Sequence, residues 1–158
     1  MTTLTYSDVV ARLGFAMLCG AALGLNREFH GKPAGVRTQG LVALGAALAT
    51  LVSVFIVGPG DLAAVTRTIQ GIVAGVGFLG AGVIMRGNDS ATVHGLTTAA
   101  VTWLSACLGI ACGAGTWLIA ATALGLTLVL LVIGGPFERW AHARFRATTI
   151  NASREPEP

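Results

Sequence analysis

The chain has 158 residues, of which 54% are apolar and only 11% charged, with a formal net charge of +3. This balance lies far from that of soluble proteins, and it predicts an integral membrane protein with one helical domain. The few charges lie in loops and in the tail, which argues against a nucleic-acid surface and favours contact with the anionic headgroups of a lipid bilayer.

Three cysteines, Cys19, Cys107 and Cys112, all fall inside apolar segments. Their odd number and their placement fit neither a disulfide framework nor a thiolate metal site. We predict buried, neutral thiols.

Five apolar segments are long enough to cross a bilayer, because a helix rises about 1.5 Å per residue and the hydrocarbon core is about 30 Å thick. The predicted spans are Val9–Leu25, Gln39–Val57, Thr68–Met85, Leu96–Gly113 and Thr116–Ile133. The sequence therefore predicts an all-α membrane protein, a polytopic bundle of about five transmembrane helices.

The C-terminal end carries a stop signal, Gly134-Gly135-Pro136, which is predicted to end the fifth span and the transmembrane domain of residues 1–135. Residues 136–147 place apolar and basic side chains on opposite helical faces, which is typical of a short interfacial helix. Residues 148–158 are polar and end in proline, so they predict a disordered tail.

The loop Asn26–Thr38 holds the densest charge before the tail, namely Arg27, Glu28, Lys32 and Arg37. These side chains are either simple interfacial anchors or a folded recognition loop. In the second interpretation Glu28 pairs with one arginine, and the remaining cations meet lipid phosphate or an acidic partner.

Glycines distinguish the third span. At about 100° per residue, Gly71, Gly75 and Gly82 share one face, and Gly77 and Gly80 lie roughly opposite. Small residues let helix backbones approach closely in lipid, so we predict that these glycines pack against two neighbours and that this helix lies inside the bundle. An ordinary glycine-rich span, with no meaning in the spacing, is the alternative.

The fourth span carries a polar stripe, in which Thr98, Thr102 and Ser105 recur at helical spacing on one face. Hydrogen bonds between helices would account for this stripe, and so would a wet pathway for a solute or for protons.

Basic residues near the span ends predict the orientation, because cytoplasmic loops are enriched in Lys and Arg. One side of the five-span arrangement receives Arg27, Lys32, Arg37, Arg86, Arg139, Arg144 and Arg146. The other side receives only Arg12 and Arg67. We therefore predict that the N-terminus lies outside and the C-terminus in the cytoplasm.

Catalytic motifs are missing from the sequence, which has no arrangement of Ser, His and an acid, no HExxH and no Walker loop. Glu28, Asp89 and Glu138 lie on the predicted cytoplasmic side, but one or two carboxylates without a substrate phosphate make a weak Mg²⁺ site. We predict a protein that is not an enzyme and has neither a cofactor nor a specific metal site.

Four short motifs follow one another along the chain: Gly24–Glu28 (GLNRE), Gly31–Thr38 (GKPAGVRT), Gly77–Gly82 (GFLGAG) and Gly95–Ala100 (GLTTAA). Together they resemble the MgtC/SapB family of bacterial inner-membrane proteins. The resemblance implies a role in magnesium homeostasis, in virulence and survival inside macrophages, and in inhibition of the F-type ATP synthase.

This chain departs from the pattern of the family in two respects. Longer, virulence-associated members carry a soluble C-terminal domain, whereas this chain resembles a short form without it. His94 stands where many relatives have a stronger base.

Two classes of function are compatible with the sequence. A transporter exposes ionisable or carbonyl groups at mid-membrane depth, yet here the charged residues lie near the predicted span ends. We predict a regulator that binds another membrane complex, for which the resemblance nominates the ATP synthase. A small ion or solute transporter, linked to Mg²⁺ or protons, is the alternative, and association with a second copy of the chain is left open.

Overall fold

A computed structural model describes residues 5–57, 61–86 and 93–152. Its helices are α1 (Tyr6–Phe29), α2 (Val36–Val57), α3 (Leu62–Val83), α4 (Leu96–Gly113) and α5 (Trp117–Ala152). Two short strands, β1 (Met85–Arg86) and β2 (Val93–His94), pair antiparallel between α3 and α4. Each helix contains a segment long and apolar enough to cross a membrane, which confirms the all-α, five-span prediction.

The third helix begins six residues before the predicted start at Thr68. Asp61 explains the difference, because its Oδ1 accepts a hydrogen bond from the Ala64 amide at 3.1 Å and caps the helix. Arg67 consequently lies within α3 rather than before it.

The fifth helix continues through Gly134-Gly135-Pro136, so the predicted stop there is wrong. A proline removes one backbone donor, and a helix that is already formed can continue past it at a local cost. The helix also includes residues 148–152, which were assigned to the disordered tail, whereas 153–158 lie outside the described residues. An interfacial position for residues 136–147 stays a prediction.

The chain divides into two compact units, residues 1–124 and 125–158. The first unit contains α1 to α4 and the start of α5, and the second contains the remainder of α5. The tightly packed core and the site described below belong entirely to the first unit.

Helices α1, α2 and α4 form this core through small residues. A Cβ added at Gly24 of α1 would lie 2.5 Å from Val36 Cα, and one at Gly113 of α4 would lie 2.5 Å from the Ala47 carbonyl oxygen. An added Cβ at Gly109 would overlap the Ala43 carbonyl oxygen. Such contacts leave no space for any side chain, so these glycines set the distances between the helices.

The turn between α4 and α5 is held by Arg12 of α1. Its Nη1 donates a hydrogen bond to the Gly113 carbonyl at 2.8 Å, which satisfies an acceptor at the end of α4. Gly115 has φ +79°, and a Cβ there would be 2.9 Å from the Arg12 guanidinium. Phe15 packs edge-on against Trp117, with ring centroids 5.6 Å apart.

Helix α3 lies at the edge of the first unit, so the prediction that it lies inside the bundle is wrong. Gly71, Gly75, Gly77 and Gly82 each have open space where a Cβ would stand, and only Gly80 meets a neighbour, Ala99, at 3.6 Å. Glycine spacing indicates that close approach is sterically allowed, but it does not identify a partner. Within this chain, α1, α2 and α4 use their small surfaces against one another.

Beside α3 there is an apolar groove of about 370 Å³. Its walls come from α2, α3 and α4, and it is lined by Leu41, Val42, Gly45, Ala46, Ile72, Val76, Leu79 and Ala106. Helix α3 is therefore packed less closely against α2 than α1 and α4 are.

Candidate functional site

Polar side chains inside the spans gather between α1, α2 and α4 in what we call the polar seam, defined as Arg27, Gln39, Thr98, Thr102 and Ser105. All five are buried, and Arg27, the most exposed of them, is only 6% exposed. The three residues of the predicted polar stripe thus face the helix core and are joined by two residues from neighbouring helices.

Hydrogen bonds connect most of the polar seam. Arg27 Nη2 donates to Thr98 Oγ1, and Gln39 Nε2 donates to Thr102 Oγ1 at 3.0 Å. Thr102 Oγ1 in turn donates to the Thr98 carbonyl at 2.9 Å. The seam therefore links three helices, as the first interpretation of the stripe expected.

Three atoms of the seam have no hydrogen-bond partner in the structure: Arg27 Nε, Gln39 Oε1 and Ser105 Oγ. An unpaired polar group in a membrane interior is costly, because no bulk water is present to form a hydrogen bond with it. The hydrogen bonds within the protein therefore satisfy the polar seam only in part.

The structure separates Arg27 from the basic loop in which the sequence placed it. Arg27 lies in the last turn of α1, on the buried face that also carries Gly20, Leu23 and Gly24. This helical spacing was a usable signal, because Arg27 follows Gly20 and Gly24 by seven and three residues. Gln39, which sequence reasoning missed, likewise precedes the buried Ala43 by one turn.

The other residues of that loop remain at the surface. Glu28, Lys32 and Arg37 are exposed and line an open cavity of about 310 Å³ where α1 ends and α2 begins. Glu28 Oε2 accepts a hydrogen bond from the Val36 amide at 3.4 Å, so its carboxylate lies at the first turn of α2. Lys32 and Arg37 are therefore the accessible positive charges at the junction of α1 and α2.

The buried thiols of Cys19 and Cys112 face each other across the α1–α4 contact. All three cysteines are free. In the part of the chain that the structure describes, no three side chains of the His, Cys, Asp and Glu types come together in a way that could hold a metal ion.

Comparisons with known proteins agree with this architecture. The MgtC family model matches residues 13–140. Similar proteins include SrpB of Synechococcus elongatus, 45% identical over 78% of this chain and 72% of its own length. MgtC of Salmonella typhimurium is 45% identical over 73% of this chain, and MgtC of Brucella abortus is 41% identical over 80%.

The chain spans about half the length of those two MgtC proteins, 46% and 50% respectively. No solved structure matches it. The family model covers most of the chain, and the match to SrpB covers most of both proteins. This multi-pass membrane protein therefore belongs to the MgtC family.

Proposed function

We propose that this protein is a non-enzymatic regulator of the bacterial inner membrane, which acts by binding another membrane complex. The family resemblance nominates the F-type ATP synthase as that complex, and adaptation to low magnesium or virulence-related stress as the setting. The N-terminus lies outside and the C-terminus in the cytoplasm in this proposal, because Lys32 and Arg37 belong on the cytoplasmic side.

One observation carries the proposal: α3 has an open glycine face, while the polar seam is enclosed between α1, α2 and α4. Gly71, Gly75 and Gly82 have open space where a side chain would stand. In lipid such a face lets another transmembrane helix approach closely. We infer that a helix of the partner complex packs there, and that the exposed cations Lys32 and Arg37 also contact the complex.

The test is co-reconstitution of the purified protein with the ATP synthase in liposomes, with ATP hydrolysis as the readout. We expect the parent to inhibit hydrolysis and Gly75→Leu to lose that inhibition, because leucine would block the close approach. Gly14→Leu is the matched control, since Gly14 on α1 also has open space around it. Equal inhibition by Gly75→Leu and the parent would contradict the proposed contact surface.

A transporter is the second candidate, and two unpartnered buried atoms favour it: Gln39 Oε1 near the start of α2 and Ser105 Oγ in the middle of α4. Groups of this kind can line a hydrated path for an ion or a proton. Flux of Mg²⁺ and of protons into liposomes containing the protein alone tests this function. Saturable flux that Thr102→Val abolishes, without any effect on the synthase, would replace the regulator by a transporter.

A further inference from the structure

Arg27 holds a positive charge inside the helix core, and its one hydrogen-bond partner among the described residues is the neutral Thr98 hydroxyl. Its side chain is 6% exposed, its Nη2 donates to the Thr98 hydroxyl, and its Nε has no partner. A guanidinium is always charged at physiological pH, so it cannot relieve this burial by losing its proton.

The carboxylates whose side chains the structure describes interact elsewhere. Asp8 accepts a hydrogen bond from the Thr5 amide at the opposite end of α1, and Asp61 caps the start of α3. Glu28 is exposed and lies at the Val36 amide. None of these three acids neutralises Arg27, and a buried charge without a counter-charge costs several kcal/mol in a protein interior.

The surroundings of Arg27 suit an oxyanion. A guanidinium offers a planar fork of N–H donors that matches phosphate oxygens. Thr98 Oγ1 accepts from Arg27, which leaves its own proton available to donate to an anion. Arg27 is also two residues from the end of α1 at Phe29, the depth at which a span meets the phosphates of the lipid headgroups.

We propose that Arg27 and Thr98 form an oxyanion site at the end of the polar seam, and that this site takes a phosphate group. The phosphate belongs either to an anionic lipid headgroup or to free inorganic phosphate, which share the same recognition chemistry. Gln39 Oε1, one turn deeper, accepts a hydrogen bond from a water molecule or from a protonated phosphate oxygen. This site does not depend on the proposed regulation of another complex.

Thermal unfolding of the purified protein in dodecyl maltoside and Tris buffer tests the proposal, with sodium chloride holding ionic strength constant. One arm adds inorganic phosphate and the other adds short-chain phosphatidylglycerol. We expect a rise in Tm of several degrees in at least one arm, because a ligand that binds only the folded state stabilises it. A response to the lipid alone identifies the headgroup, and a response to inorganic phosphate identifies the free ion.

Arg27→Gln should abolish the rise in Tm, whereas the matched control Arg37→Gln, which removes an exposed cation at the junction of α1 and α2, should retain it. Thr98→Val keeps the side-chain shape and should raise the half-saturating concentration about tenfold, which keeps the test informative if Arg27→Gln does not fold. Without added ligand, Arg27→Gln should melt no lower than the parent, since it removes an uncompensated charge.

Two results would overturn the oxyanion site. The first is a parent protein whose Tm responds to neither probe. If Arg27→Gln is then also strongly destabilised in ligand-free buffer, the partner of Arg27 is a carboxylate of the chain itself. The second is a rise in Tm that Arg37→Gln abolishes and Arg27→Gln retains, which would assign the anion to the surface cavity.

Discussion

Gly109 of α4 and Gly75 of α3 are both glycines within apolar helices, yet their surroundings differ completely. An added Cβ at Gly109 would overlap the Ala43 carbonyl oxygen, whereas nothing lies within 4 Å of the same position at Gly75. A row of glycines therefore allows another helix to approach closely. Whether such a contact forms within the chain depends on which helix lies opposite the row. In this protein α4 packs within the chain, and α3 keeps its glycine face open.

The largest effect is expected from Gly109→Ala. The new methyl group would force α4 away from α2, and overpacking of a close helix contact costs about 1–3 kcal/mol. Unfolding in detergent, monitored by circular dichroism, should show a clear loss of stability. A Gly109→Ala variant as stable as the parent would mean that α2 and α4 are further apart than described.

An intermediate effect is expected from Arg12→Ala, which removes the hydrogen bond to the Gly113 carbonyl and leaves that acceptor unpaired. We expect a loss of about 1–2 kcal/mol in the free energy of unfolding. Arg67→Ala is the control, because Arg67 is an exposed residue of α3 and its removal should change stability little. Equal losses for the two variants would remove the distinction between the core and α3.

The smallest effect is expected from Gly75→Ala. Since its surroundings are open, the substitution should be neutral or should stabilise α3 by up to about 1 kcal/mol through helix propensity. The same unfolding measurement applies, with Gly109→Ala as the direct comparison. A loss at Gly75 as large as that at Gly109 would indicate that α3 is enclosed after all.

Sequence reasoning predicted the parts of this fold that depend on local pattern. The five spans follow from the length of the apolar segments. The stop predicted at Pro136 failed because a helix can continue beyond a proline. The prediction that α3 lies inside the bundle is wrong because the spacing of its glycines contains no information about which helix packs against them.

The candidate site was predictable only in part. The helical period of Thr98, Thr102 and Ser105 predicts their shared face. The charge of Arg27 favours a loop, whereas its helical phase places it on the buried face of α1. Gln39 was missed because a single amide at the start of a span has no periodic signature of its own. Long-range contacts such as Gln39 with Thr102 form only when α2 and α4 come together.

The central claim is that α1, α2 and α4 form the core and that α3 lies at its edge. Cross-linking between cysteines within the membrane tests this claim most directly. Cys19 and Cys112 are in contact, so an oxidant should link them in a Cys107→Ser background. Trypsin cleavage after Arg37 and after Arg86 separates α1, α3 and α4 from one another. The α1 and α4 fragments should then stay joined on a non-reducing gel. In the same background, Gly75→Cys combined with Cys19→Ala should give no link to Cys112. A link from position 75 to Cys112, or none between Cys19 and Cys112, would contradict the arrangement.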